Sequence, residues 1–311
     1  MKRQPRDARE LVGLLADART QPRMTVGQAD GDLDLGRMVQ LLDLDESSLL
    51  VHAQAGIRMG ALEEQLNVHQ MTLGWLPPTS RTRSLGAALA APRPTEATPR
   101  GRLVDACAAI DGVLPGGTLF STRLAPRRAT GPDLMSALIG ARGATGIVTG
   151  AWLRCFRRPP AETRCGFLFP SGETALVCAR TLLQTGALPA DLTILGQGDE
   201  FLLELQLGGT AEMVAAERTL AADLARAQGA READGVPTAL SAADRAARPA
   251  EFIPVHELSA AFAARPRPEL AVLLPSGGAL CSDAPVAVRL DPLATLTAEL
   301  QRQLGPEGQA H

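Results

Sequence analysis

Apolar residues recur along this chain with two periods, one helical and one strand-like, and the switches between them lay out its elements. In "DARELVGLLADA", Leu11, Leu14, Leu15 and Ala18 share a helical face, and Asp7 stands where an N-cap is expected. Short strand-like pieces follow around Met24–Val26 and Asp32–Leu35, joined by "GQADG". "SSLLVHAQAG" reads as a strand and "MGALEEQLNVHQ" as an amphipathic helix with Leu62 and Leu66 inward. "GWLPPTS" reads as a rigid turn, because Pro77 and Pro78 fix φ and deny helix to their predecessors. The later half of "SLGAALAAPRPTEATPRG" is loop-like. "RLVDACAAI" and "GGTLFST" predict hairpin strands around the Pro- and Gly-marked turn "DGVLPGG".

After "RRPP" the pattern changes. "TRCGFLFP" predicts a strand, "GETALVCARTLLQTG" a helix, and "DLTILG" and "EFLLELQLGG" two further strands. The long helix "AEMVAAERTLAADLARAQ" is expected to bury Met213, Val214, Leu220 and Leu224. This β-α-β-β-α order, with "GAREADG" leading to a possible closing strand, fits a ferredoxin-like split βαβ unit and sets residues 159–236 apart as a second domain. The Ala-, Arg- and Pro-rich stretch from Pro237 to Pro268 is the least readable. "ELAVLLPSGGAL" and "APVAVRL" resemble a hairpin, and "LATLTAELQRQLG" a helix ended by Gly305; no internal repeat is visible.

Composition narrows the function classes. A net charge of −3 gives no basic footprint for nucleic acid. Lys2 is the sole lysine, arginine doing its work elsewhere. The longest apolar stretches fall short of the roughly 20 residues a membrane span needs, and the charged start "MKRQPRDARELVGLL" lacks a signal-peptide core. A cytoplasmic location is the expectation. Cys107, Cys155, Cys165, Cys178 and Cys281 show no C-x-x-C spacing and read as reduced core thiols. His52, His69, His256 and His311 are too far apart in sequence to share a helix face, so no metal site is expected.

The densest stretch is "ATGPDLMSALIGARGATGIVTG", residues 129–150. Gly140, Gly143 and Gly146 are spaced G-x-x-G-x-x-G, which is neither the dinucleotide fingerprint nor a Walker loop. The loop also runs from helix to strand, the reverse of the Rossmann order. On the residues alone it is either a glycine-rich turn or a loop whose backbone approaches a ligand closely.

In detail, "RRATGPDLMSALIGARGATGIVTGAWLRCFRRP" resembles the second half of the FAD-binding domain of the vanillyl-alcohol-oxidase superfamily. That group includes the FAD subunits of glycolate oxidase, the D-lactate dehydrogenases and alkylglycerone-phosphate synthase. "LLVHAQAGIRMGALEEQLNVHQMTLGWLPPT" is similar to its strand, turn, helix and proline turn, and "SLGAALA" sits where the family has Thr-Ile-Gly-Gly. "LTAELQRQLGPEG" resembles its closing segment. The resemblance implies an α+β fold: a PCMH-type FAD-binding domain of two small α+β subdomains over residues 1–158, a ferredoxin-like cap over 159–236, and a linker with hairpin and helix returning to the body over 237–311. It also implies FAD as cofactor. Carried over residue by residue, the cofactor contacts fall on Pro77, Pro78, Thr79, Ser84, Leu85, Gly86, Thr130, Gly131, Asp133, Gly140, Gly143, Gly146, Ile147 and Val148.

The chain departs from the family at several points. The family's early pyrophosphate loop is cut here to "RMTVGQADGDL", with Gly27 and Gly31 alone in reach; Ala87 replaces a glycine and Ser84 a threonine. Losing two or three charge-assisted hydrogen bonds would cost about 3–6 kcal/mol, or roughly two to four decades in affinity. Arg142 occupies a place where relatives carry glutamate. There is no tyrosine, no residue at a place for covalent flavin attachment, and no carboxy-terminal histidine cluster. Arg127, in "PRRATGPD", is the one substrate-site candidate; its guanidinium could clamp a carboxylate or phosphate, or it is a solvated loop arginine. Three readings follow. One is an accessory flavin-binding subunit, like the smaller one of glycolate oxidase, beside a larger flavoprotein or iron-sulfur subunit. The others are a flavin-free pseudoenzyme serving as scaffold, and a self-sufficient FAD-dependent dehydrogenase of a small 2-hydroxy acid.

Overall fold

A computed structural model describes residues 3–16, 33–74, 78–93, 96, 101–122, 124, 133–197, 199–233, 250–254, 256–264, 270–274 and 277–281. Helix α1 (Ala8–Ala16) begins where the sequence places it, the Asp7 carboxylate accepting from the amides of Arg9 and Glu10 at 2.8 and 2.9 Å. A five-stranded antiparallel sheet follows, ordered β1 (Leu41–Asp45), β2 (Leu50–Gln54), β6 (Ile147–Arg154), β4 (Cys107–Val113), β5 (Leu119–Ser121). One face carries Val51, Ala53, Ile110, Ala151 and Leu153. Those residues share a core with Leu62 and Leu66 of α2 (Met59–Val68) and Leu85 and Leu89 of α4 (Leu85–Ala90). A smaller core joins Leu11 and Leu15 of α1 to Val113 and Ile147, closing the end of the sheet.

Pro78 opens a single helical turn, α3 (Pro78–Arg81), a position where its missing N–H costs nothing. "RLVDACAAI" enters its strand through another short turn, α5 (Leu103–Ala106). The two-residue strand β3 (Met71–Thr72) pairs with β7 (Phe156–Arg157), so the chain leaves the first sheet beside α2.

The second sheet has seven strands. Four of them, β11 (Arg231–Glu232), β8 (Ala161–Phe169), β10 (Glu200–Gly209) and β9 (Asp191–Gln197), lie in that spatial order. With α7 (Gly172–Gln184) and α8 (Ala211–Ala227) they trace β-α-β-β-α-β, the ferredoxin-like connection. Phe167, Leu203, Leu205, Leu207, Leu192 and Ile194 point to the helices and form the core.

One expectation, for Met213, is corrected here. On α8 the buried residues are Val214, Ala221 and Ala225, while Met213 is 54% exposed. Val214 is thus buried as expected, Leu220 and Leu224 pack half-buried against the same core, and Met213 is the one member of the expected stripe that is exposed. Within "ELAVLLPSGGAL", β13 (Leu270–Leu274) and β14 (Gly277–Cys281) pair with each other and extend the second sheet through β9. The final strand of that sheet, β12 (Ala250–Pro254), pairs with β14 and precedes α9 (Leu258–Ala264). β9 would otherwise be an open edge, and covering it satisfies its ladder. "APVAVRL" and "LATLTAELQRQLG" lie outside the described residues.

Candidate functional site

The glycine-rich loop is built between two anchors. Asp133 caps α6 (Leu134–Leu138), accepting from the amide and hydroxyl of Ser136 at 3.2 and 2.5 Å. Beyond that helix the amides of Gly140 and Arg142 donate to the carbonyls of Leu89 and Ala90, at 2.9 and 3.0 Å, and pin the loop to the end of α4. Gly140, Arg142, Gly143 and Gly146 all take positive φ, +82°, +52°, +89° and +150°. Glycine takes that backbone readily, whereas Arg142 takes it against its side chain. Among the described residues, the amides of Gly143, Thr145 and Gly146 donate to no group of the protein, although Gly143 and Gly146 are buried. Buried amides without a partner are costly, so these N–H groups are donors suited to an anionic or carbonyl oxygen. Ile147 and Val148 follow directly into the two cores and hold the loop's far end rigid.

At the other end of α4, Ser84 is the N-cap and its Oγ accepts from the Ala87 amide at 3.3 Å. Its hydroxyl proton remains available to a ligand. The next two amides are spent, Leu85 on Ile57 O at 2.9 Å and Gly86 on Ala55 O at 2.7 Å. A helix of six residues spans about 9 Å, so Ser84 and the loop carrying Gly140 stand at opposite ends of one short rod. The rod rests on the turn leaving β2, where Gly56 is obligatory: a Cβ there would lie 1.9 Å from Leu35 O. Arg83 closes the other end, its guanidinium donating to Ala87 O and Ala91 O at 2.6 and 2.8 Å and pairing with Glu96.

The sequence-derived contacts therefore divide. Ser84, Leu85, Gly86, Gly140, Gly143, Gly146, Ile147 and Val148 gather around α4 and the start of β6, with Asp133 as the cap of α6. Pro78 and Thr79 open α3, one turn before. Pro77, Arg127, Thr130, Gly131 and the shortened early loop with Gly27 and Gly31 lie outside the described residues.

A second group of polar residues went unnoticed in the sequence. Glu63 sits on the inward stripe of α2, beside Leu62, and is buried. One carboxylate oxygen accepts from the Thr72 hydroxyl, and the other from the Leu73 amide at 3.0 Å. Burial raises its pKa, against the hydrogen bonds of Thr72 and Leu73 and the charges of Arg81 and Arg158. Across a cleft, the β10 face opposite the helices carries Gln206, whose Oε1 accepts from Arg164 at 3.0 Å. An acid on an apolar helical stripe and a Glu-x-Gln alternation inside a buried strand were the available signals.

Among the described residues each histidine sits beside a carboxylate, and four cysteines are buried. His52 Nε2 is 2.6 Å from Asp111, His69 Nδ1 2.7 Å from Glu46, and His256 Nε2 3.3 Å from Glu257. Cys107, Cys155, Cys165 and Cys178 are buried free thiols, and desolvation pushes Cys155 up to about 12 and Cys165 and Cys178 to about 11. Among the described residues no three His, Cys, Asp or Glu side chains cluster as metal ligands, and no helix is long and apolar enough to cross a membrane.

Residues 25–123 match the family described as "FAD binding domain". The chain is 26% identical over 172 residues to alkyldihydroxyacetonephosphate synthase of Caenorhabditis elegans, a match covering 55% of this chain and 29% of that protein. It is 30% identical over 157 residues to the mitochondrial D-lactate dehydrogenase [cytochrome] 1 of Saccharomyces cerevisiae, covering 50% of this chain and 26% of the relative. The matched stretch is thus under a third of either relative. In fold it superposes on a solved alkyldihydroxyacetonephosphate synthase with a TM-score of 0.72 at 16% identity, over 98% of this chain and 74% of the other. Substrate-bound p-cresol methylhydroxylase gives 0.66 at 12% identity, over 98% and 78%. The unpartnered amides of the Gly143–Gly146 loop and the free hydroxyl proton of Ser84 fit such a cofactor at one end of its path. The chain thus carries an FAD binding domain match over residues 25–123, which supports FAD as its cofactor, on an α+β fold shared with solved FAD-linked oxidases of the PCMH/vanillyl-alcohol-oxidase type.

Proposed function

We propose that this FAD-linked oxidoreductase-family protein is the accessory flavin-binding member of a 2-hydroxy-acid dehydrogenase complex, working beside a larger flavoprotein or iron-sulfur subunit. The observation that carries the flavin side is the set of unpartnered amides of Gly143, Thr145 and Gly146, in a loop held by the two bonds to α4. Bound FAD would supply a two-electron acceptor. The chain's own part is to hold the cofactor: loop amides and the Ser84 hydroxyl toward oxygen acceptors, Ile147 and Val148 stiffening the strand behind them. A partner is called for because the chain has no tyrosine and its described histidines each face a carboxylate. Proton abstraction from a hydroxy acid needs a base within reach of the substrate.

A flavin-free scaffold is the second reading. It is favoured by the spent amides of Leu85 and Gly86, which leave fewer donors at the head of α4.

Absorbance of the purified chain, alone and co-expressed with candidate partner chains, separates the two. The subunit reading expects substoichiometric flavin alone and full occupancy in a complex that oxidises 2-hydroxy acids. Replacing buried Gly143 by leucine forces a side chain onto left-handed backbone, about 1–2 kcal/mol, beside the loop amides. Flavin should then be lost while the second sheet stays folded. Flavin content unchanged in that variant would remove the loop from the site.

A further inference from the structure

The two sheets meet at a cleft of about 150 Å³ between α2 and β3 on one side and β8 and β10 on the other. A void of that size holds a molecule of roughly six heavy atoms, far less than a dinucleotide. The chain's crossing from the first sheet to the second runs along it. Arg158 sits in that crossing, its amide donating to Gln70 O at 2.9 Å. Pro159 and Glu162 continue the wall, and Gly208 of β10 completes it.

The charges around the cleft are unequal. Arg81 is only loosely engaged, 3.4 Å from Glu64. Among the described residues the guanidinium of Arg158 has no hydrogen-bonded or ion-paired partner; it acts on Glu63 through space. Of the two lining carboxylates, Glu63 is buried and already takes hydrogen bonds from Thr72 and Leu73, and Glu162 takes a 3.5 Å contact from Gln206 Nε2. Its lining thus includes a guanidinium whose five donors are unused and the half-buried Asn67 amide. A guanidinium that sits between two bodies and makes no direct ion pair suits a planar or tetrahedral oxoanion, which it binds bidentately.

We propose that this cleft is a binding site, separate from the α4 flavin groove, for a compact oxoanion of about six heavy atoms, held by Arg158 and Asn67 and clamping the two sheets together. The shared chemistry is that of inorganic phosphate and of a two- or three-carbon carboxylate. Occupancy would tie the crossing segment to α2 and stiffen the junction. The inference goes beyond the functional reading above and does not depend on flavin being bound.

Calorimetric titration of the full chain with inorganic phosphate and with lactate, and flavin content recorded on the same samples, tests it. One saturable site per chain is expected for at least one anion, with a raised midpoint of thermal unfolding. The anion that binds identifies the source, and binding by both assigns a general oxoanion site; each outcome supports the proposal. Arg158→Gln, at an exposed position, should weaken binding about tenfold or more, and Asn67→Leu should weaken it less, both with unchanged flavin content. Arg226→Gln, on the exposed face of α8, should change nothing. No saturable binding of either anion at tens of millimolar, or equal binding in Arg158→Gln, overturns it. Flavin without anion binding would sink this inference alone, and anion binding with no flavin, either in the chain alone or in its complex with a partner, would sink the flavin reading alone.

Discussion

Asp111 Oδ2 lies 2.6 Å from His52 Nε2 although β6 runs between their strands. The carboxylate crosses that strand over Gly150, where a Cβ would stand 3.2 Å from the same oxygen. Ser121 Oγ donates to the other oxygen at 2.6 Å, and the His52 ring stacks on Trp152 with centroids 4.6 Å apart. The hydroxyl meets the carboxylate rather than the imidazole, so this is a structural network and not a nucleophile with its base.

The network predicts an acid-side dependence of stability. The His52 hydrogen bond, opposed by burial and helped by Ser121, lowers the pKa of Asp111. A carboxylate with a depressed folded pKa stabilises fully above its unfolded value near 4, and the contribution vanishes as pH falls through the folded value. Asp111→Asn should cost about 1–3 kcal/mol at pH 7 and lose less stability than the parent as pH falls below about 4. Urea unfolding across that range measures both; parallel curves would contradict the assignment.

Gly56→Ala is expected to be the most damaging single methyl in the first sheet. The added carbon would sit 1.9 Å from Leu35 O and 2.7 Å from Met38 O, both backbone atoms with no rotamer to escape by. A loss of about 3 kcal/mol or more follows, read as a large drop in thermal midpoint. Gly13→Ala, with nothing within 4 Å, serves as its comparison and should be nearly silent or stabilising.

Ser84 has two separable duties. Ser84→Ala removes the cap of α4 and should cost about 1 kcal/mol, together with part of any flavin occupancy. Ser84→Thr keeps an oxygen that can accept the Ala87 amide and should keep both. If alanine lowers stability while flavin content is untouched, the hydroxyl caps the helix and does nothing more.

The four described core thiols should be inert. Burial raises Cys155 to about 12 and Cys165 and Cys178 to about 11, and Cys107 is buried as well. At pH 8 almost no thiolate exists at those three sites, and thiolate is the nucleophile. Alkylation of the native protein followed by peptide mapping should leave all four unmodified, whereas the unfolded chain should label at each.

The local backbone around the candidate site was legible in short stretches. The order and spacing of Gly140, Gly143 and Gly146 before an apolar strand follow from short-range backbone needs, which sequence records directly. Asp7 marks a helix start for the same reason, since a cap acts on amides two or three residues away.

What only the tertiary structure decided are pairings between distant residues. His52 and Asp111 are 59 positions apart and meet because β2, β6 and β4 are neighbours and Gly150 is bare. Glu63 and Gln206 face a common cleft because the chain crosses between sheets at Arg158. Whether an amide is spent, as at Leu85, or unpartnered, as at Gly143, depends on which carbonyl the fold brings near. Local period and turn chemistry are properties of a few consecutive residues; partnership across sheets depends on strand order and burial, which no short stretch encodes.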